Sequence, residues 1–336
     1  MKKTKKENKK HLKTYLYDFK KISVAGLRLL KYTLRITPFY TGVYLVTIIA
    51  LAMTPFASMW ADSKIIDELV RMVTEGGDNT KTLFIYIGIA LLIAAIDNLI
   101  GGINSIVDVN MWFEIGKNID FDVVKKMAYL DLEHYDDPET NDKINKVKQN
   151  MRARPQNFLT RLFYLIQVTV SSISALYIFI FFSPLIILIT VVTALPLLFI
   201  NMIFGRRSWG IWDAKGDVNR DYNWSRSFLM KEWTLMELRV SKARDVLLKR
   251  VRGLYDSFQK EQMKLQSKRH SVQYFSYIFS LIGRAVSYLI IVSAVIGARI
   301  TIGQFNFYSS ALGRLRRSLK EMMRMISNIY EDGLFL

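Results

Sequence analysis

Cysteine is absent from the 336 residues, which excludes a disulfide framework and any thiolate-bound metal. Histidine is nearly absent: His11, His134 and His270 are scattered along the chain and offer no cluster for a metal centre. A secretory signal is missing as well, because the lysine-rich opening MKKTKKENKKHLK is not followed by a short apolar core and a small-residue cleavage site. The most informative absence is of charge. No Asp, Glu, Lys or Arg occurs between Phe163 and Gly205, and Ile36 to Ala61 is a second such run. At roughly 1.5 Å per residue the first is about twice the length needed to cross a bilayer core, and the second suffices for one crossing. No soluble domain buries a run like the first as one element.

What is present is 51% hydrophobic, 13% aromatic and 23% charged, with a formal net charge of +18. In a soluble protein that basicity points to nucleic acid. In a membrane protein the placing of Lys and Arg comes first, since cytoplasmic loops carry the excess. The expected surroundings are therefore a lipid bilayer, with no nucleic-acid partner. Residues 1–35 read as a basic cytoplasmic tail followed, over 22–35, by an interfacial elbow helix in which Arg28, Lys31 and Arg35 are mixed with apolar residues.

Six spans are expected over residues 36–336, at about 38–61, 83–107, 160–182, 184–205, 272–298 and 302–329. Tyr40 and Trp60 sit near the ends of the first, as interfacial aromatics do, and Pro55 is expected to kink it. Residues 62–81 read as a slightly acidic outside loop turned by Gly76-Gly77-Asp78-Asn79. Ser183-Pro184 divides the long uncharged run into two spans, and Ile300 to Gly303 is the last outside turn. Trp112, Trp209 and Trp212 read as interface anchors, and Gly101-Gly102 as a place for a kink or close helix approach. The segments 108–157 and 206–270 are long, charged and apolar at helical spacing. By the positive-inside rule they face the cytoplasm, together with both termini, in a multi-pass protein of the plasma membrane. The fold class expected is thus all-α, six transmembrane helices with long cytoplasmic helical extensions.

Local sequence carries a resemblance. Tyr135, Asp136, Asp137, Pro138, Glu139 and Thr140 lie in a stretch similar to a first coupling-helix region, and Glu232, Trp233, Met236 and Glu237 in one similar to a second. Thr301-Ile302-Gly303-Gln304-Phe305 is similar to a Thr-Ile-Gly-Asp-Phe-like turn before a sixth helix, and Ile329 to Leu336 to the exit from it. With their order and spacing, these motifs resemble the transmembrane domain of a type I ABC exporter over nearly the whole chain. The resemblance implies a dimer of two such halves, identical or different, each served by a nucleotide-binding domain that uses ATP and Mg. The coupling helices would pass closure of those domains to the substrate pathway. No G-x-x-x-x-G-K-[ST] occurs, and the Gly116-Lys117 pair is followed by Asn118. No catalytic residue, metal site or cofactor is therefore expected here, and no ATPase activity from this chain alone. The chain is expected to stop about where a nucleotide-binding domain would begin, by truncation or an interrupted frame rather than as a stand-alone subunit.

The residues themselves allow plainer readings. Asp137-Pro138-Glu139-Thr140 is a good helix start, with a capping Asp, a first-turn Pro and a Glu at the positive helix end. Asp97 and Arg284 lie within apolar runs, where a charge is costly unless paired, facing a cavity or hydrated near a membrane face. On the last helix Arg314, Arg317, Lys320 and Glu321, continued by Arg324, share one face at three- and four-residue spacing. That face is either a solvated continuation of the helix or a basic wall of a translocation cavity. The competing function is a degenerate half that binds or regulates a partner without transporting.

Overall fold

The computed structural model of the chain describes residues 24, 26–75, 80–131, 133–137, 140, 144, 147, 153–212 and 216–333. Among them nine helices occur and no strand: α1 (Pro38–Glu75), α2 (Thr80–Ala128), α3 (Glu133–Asp136), α4 (Ala153–Phe182), α5 (Pro184–Trp212), α6 (Gly216–Met230), α7 (Glu232–Val240), α8 (Arg244–Ile296) and α9 (Ile302–Gly333). A further helical stretch, 26–36, leads into α1. An all-helical solution is what a bilayer demands, since every backbone N–H and C=O in lipid must be satisfied within its own segment.

Among the described residues four helices are long and apolar enough to cross a membrane: Pro38–Glu75, Thr80–Ala128, Pro155–Phe182 and Arg244–Ile296. α5 adds a shorter apolar stretch, Pro184–Leu197. α9 is long enough but is two-faced, because Ala311, Leu312, Leu315 and Leu319 are buried while Arg317 and Lys320 are exposed. None of the most apolar stretch of α2 is buried, and Leu91, Leu99 and Ile106 stand two-thirds exposed. Apolar surface on that scale belongs against lipid or another protein. The chain is a multi-pass membrane protein.

The described residues form two compact units, one built from those up to Val192 and from Gly283 onward, the other from Thr193–Ile282. In the first, α1 packs on α2, α4 and α9, and α4 packs on α9. One core cluster joins Ala175 and Phe179 of α4, Ile186 of α5, Ile291 of α8 and the buried face of α9. A second joins Tyr44 and Ile48 of α1, Val107, Met111 and Ile115 of α2, and Leu159 and Phe163 of α4. In the second unit α6 packs on α7, and Arg250 of α8 reaches Asp221 of α6 at 2.8 Å.

Two boundaries differ from the sequence expectation. Residues 62–75, read as an outside loop, continue α1. Their charges lie at helical spacing, with Arg71 pairing to Glu68 at 3.4 Å and Glu75 at 3.7 Å, and Ala61, Ser63 and Glu68 are buried. The turn residues Gly76 to Asn79 lie outside the described residues. α2 likewise runs unbroken through Gly101-Gly102, and a Cβ at either glycine would meet nothing within 4 Å. The break at Ser183, before Pro184, falls where proline and its restriction of the preceding residue place it.

The start of α9 is held from two directions. Gln304 N–H donates to the Thr301 hydroxyl at 3.1 Å, and Thr301 N–H donates to Gln304 Oε1 at 3.0 Å, which is a capping box. From α1, the Asp67 carboxylate accepts the Gly303 N–H at 2.8 Å, a negative charge set on the positive end of the helix. A Cβ at Gly303 would be driven into the Ser63 carbonyl oxygen and to 2.5 Å from Asp67 Cγ. The preceding turn closes α8 with Arg299 N–H on Ala294 O and Ala298 N–H on Val295 O, both at 2.9 Å. This is a Schellman pattern, and its left-handed residue is Ala298, φ 50°, at a steric cost of roughly 1–2 kcal/mol for an L-residue. Gly303→Ala is expected to destabilise the chain by about 2 kcal/mol, the scale of an overpacked core position. Thermal unfolding in detergent, followed by tryptophan fluorescence, checks this; an unchanged midpoint refutes the close approach.

Candidate functional site

α1 and α2 meet along a polar seam. The Thr47 hydroxyl donates to Asn104 Oδ1 at 2.7 Å, and one helical repeat further on Thr54 donates to Asp97 Oδ1. In the other direction Asp108 accepts Trp112 Nε1–H at 2.8 Å within α2. Thr41 reaches Met111 Sδ at 3.9 Å, with Thr37 and Thr33 stacked behind it. Tyr32, in the 26–36 stretch, donates to Asp122 Oδ2 at 2.7 Å. Burial, and then the hydrogen bond to the Asp122 carboxylate, push its phenol up to about 12, so it remains a donor throughout the physiological range. The seam is built as membrane helices build such contacts, from polar side chains that exchange lipid for one another.

Asp97 thus has a partner, and it is Thr54. Arg284, the other intramembrane charge expected from the sequence, lies on α8 with its guanidinium 5.3 Å from the Tyr288 ring centre and Nη2 3.4 Å from the Tyr288 hydroxyl. The two are not brought together within the chain. Arg314 Nε–H donates to the Ser171 hydroxyl of α4 at 3.1 Å.

Arg314 and Arg317 line an open cavity of about 450 Å³ with Met59, Tyr288, Asn306, Ser309, Ser310 and Gly313. Of the remaining charges on that helix, Glu321 pairs with Arg324, and Lys320 is exposed. Sequence spacing had grouped all five on one face, and the structure places only the first two in this cavity. It adds the polar residues Asn306, Ser309, Ser310 and Tyr288. None carries a charge; for Asn306, Ser309 and Ser310 the sequence signal was their spacing of three and four on the α9 turns before Arg314, and Tyr288, on α8, had none.

The two expected coupling segments are placed as follows. Tyr135 and Asp136 fall in α3, Glu133–Asp136, and Pro138 and Glu139 lie outside the described residues. Asp137 Oδ2 accepts Thr140 N–H at 3.1 Å and the Thr140 hydroxyl, the geometry of a helix cap. Glu232, Trp233, Met236 and Glu237 all lie on α7. That helix buries Thr234 and Leu238, and the Thr234 hydroxyl donates to Lys231 O at 2.8 Å and to Phe228 O. The opposite face carries Trp233, Met236 and Val240, three-quarters or more exposed, with Lys231 Nζ 5.3 Å from the Trp233 ring. Among the described residues no cluster of His, Asp and Glu is able to hold a metal ion.

Long lipid-exposed helices, a polar seam and a basic cavity between them define a helical membrane domain. The chain is a distant homologue of an ABC transporter over this region. It is 21% identical across 285 residues to the subtilin transport ATP-binding protein SpaT of Bacillus subtilis, a match covering 84% of this chain. The same match covers 45% of SpaT, so the chain spans less than half the length of that relative. No family model matches it.

The seam generates a prediction. Thr54→Val and Asp97→Leu are each expected to lower stability, and the double-mutant cycle to show a coupling of about 1 kcal/mol, within the range for interhelical hydrogen bonds in membranes. Reversible unfolding in mixed micelles measures it, and additive effects would show that the two side chains do not interact.

Proposed function

We propose that this chain is the membrane domain of an ATP-driven exporter. The observation that carries the reading is α7: a nine-residue helix in a charged segment, exposing Trp233, Met236 and Val240 on one face. An exposed apolar helix face that includes a tryptophan has the composition of a protein-docking hot spot. The distant homology to SpaT supports a nucleotide-binding domain as the occupant, with ATP and Mg bound there and not by this chain. Two docking segments, around α3 and on α7, would pass nucleotide-driven closure to six spans built from α1, α2, α4, α5, α8 and α9. Both termini and both docking segments are cytoplasmic, in the plasma membrane, and a second half, identical or different, completes the pathway. Residues 1–35 are the tail and elbow, and 36–336 the transmembrane domain.

The alternative, a half that regulates without transporting, has no observation in its favour among the described residues.

Because the chain contains no cysteine, topology is testable without background. Single cysteines replacing Lys64 or Arg299 are expected to react with an impermeant maleimide in intact cells, and one replacing Trp233 only after permeabilisation. Labelling of Trp233→Cys in intact cells would sink the orientation.

In the complete transporter, Tyr135→Ala/Pro138→Ala and Trp233→Ala/Met236→Ala are each expected to uncouple ATP hydrolysis from transport, lowering substrate-stimulated ATPase at least fivefold while basal hydrolysis persists. Wild-type stimulation in both double variants rejects the docking roles.

A further inference from the structure

The cavity on α9 is unusual in what it combines. Two guanidinium groups one helical turn apart, Arg314 and Arg317, share it with a tyrosine, two serines and an asparagine, while Met59 supplies apolar wall. On the reading of α9 as a span, Arg314, twelve residues and about 18 Å from its start, lies near the middle of a bilayer core. A cation at that depth is expensive unless it faces water or meets an opposite charge. The protein supplies only partial compensation. Ser171 gives Arg314 a neutral acceptor, and Asp97, on α2, already accepts the Thr54 hydroxyl. Arg284, stacked on the cavity-lining Tyr288, adds positive charge behind the wall. Ser309 Oγ, buried at the cavity, has no hydrogen-bond partner. The site therefore holds excess positive charge and an unused hydroxyl around a space of about 450 Å³.

We propose that this cavity binds an oxyanion, phosphate or carboxylate, carried by an amphiphile whose apolar part remains in the bilayer. Forked guanidinium groups are suited to such anions, which they contact through two parallel N–H donors. Ser309, Ser310, Asn306 and Tyr288 supply further neutral polar groups around the oxygens, and Met59 lies on the side of the chain's apolar body. The inference deepens the pathway reading and rests on it for the meaning of the site in transport. Binding itself needs no nucleotide, so it is measured on the full 336-residue chain, and its failure leaves the coupling experiments above unaffected.

The test is a titration of the purified chain in neutral detergent, read by native mass spectrometry, with three probes: dihexanoylphosphatidylglycerol, dihexanoylphosphatidylcholine and inorganic phosphate. Phosphatidylglycerol is expected to bind at least tenfold more tightly than phosphatidylcholine, and inorganic phosphate to compete with it only weakly. Arg314→Gln/Arg317→Gln is expected to lose at least tenfold in affinity, and Arg317→Lys two- to fivefold, since lysine keeps the charge but not the fork. Arg324→Gln, whose arginine pairs with Glu321 outside the cavity, is expected to bind as the unaltered chain does. If the double variant does not fold, Arg317→Gln alone decides, because Arg317 is exposed. Phosphatidylcholine binding equal to phosphatidylglycerol, or unchanged affinity in Arg317→Gln, overturns the proposal. Inorganic phosphate competing as strongly as the lipid overturns the amphiphile as its source and leaves a free anion as the ligand.

Discussion

Everything in the first compact unit is referred to one close approach, that of α1 to the first turn of α9. Asp67 reaches the Gly303 N–H, and the Ser63 carbonyl oxygen occupies the space where any side chain at 303 would go. Helix starts have free N–H groups and a partial positive charge, and here both are met, by Thr301 and Gln304 within the chain segment and by Asp67 across the interface. The contact fixes both the separation and the rotation of α9. Its apolar face, Ala311 to Leu319, is thereby turned onto Phe179, Ile186 and Ile291. Its basic face, with Arg314 and Arg317, follows from that rotation without further cause.

The polar seam between α1 and α2 works differently. Lipid tails are as apolar as leucine, so helices gain little by burying apolar surface on each other in a bilayer. Packing and hydrogen bonds must supply the specificity. Thr47 with Asn104 and Thr54 with Asp97 recur along the interface and set its register. A slip of either helix would leave Asp97, within the apolar run of α2, without its Thr54 partner. Apolar residues on the far side of α2 remain outward, where lipid meets them.

What was legible in the sequence was whatever depends on local chemistry. Charge-free runs gave long apolar helices and Ser183-Pro184 gave a break, while Thr301 to Phe305 was placed before the last helix by resemblance, its capping hydrogen bonds emerging from the structure. The extension of α1 to Glu75 was misread because charge was taken as loop, although Glu68, Arg71 and Glu75 sit at helical spacing. The Thr54 partner of Asp97 was out of reach for another reason. A threonine in a span is ordinary by itself, and only the packing of α1 on α2 makes it the acceptor's donor in place of Arg284. The cavity was legible in half: the arginines announce themselves by charge, whereas Ser309 and Asn306 gain meaning only once the turns of α9 are in place.

The clamp at Gly303 also has a mechanical meaning. A helix held at one end and running on the order of 40 Å from there to Ile329 behaves as a stiff rod on a pivot. A tilt of about 5° about the pivot carries the far end by roughly 3.5 Å, enough to unseat a packed side chain, while the hydrogen bond at the fulcrum scarcely lengthens. Any rearrangement of this bundle that preserves the Asp67 bond is thus a fan-like opening. It is smallest beside Gly303 and largest beyond Arg324, with the arginine cavity in between, where the stroke is partial and graded.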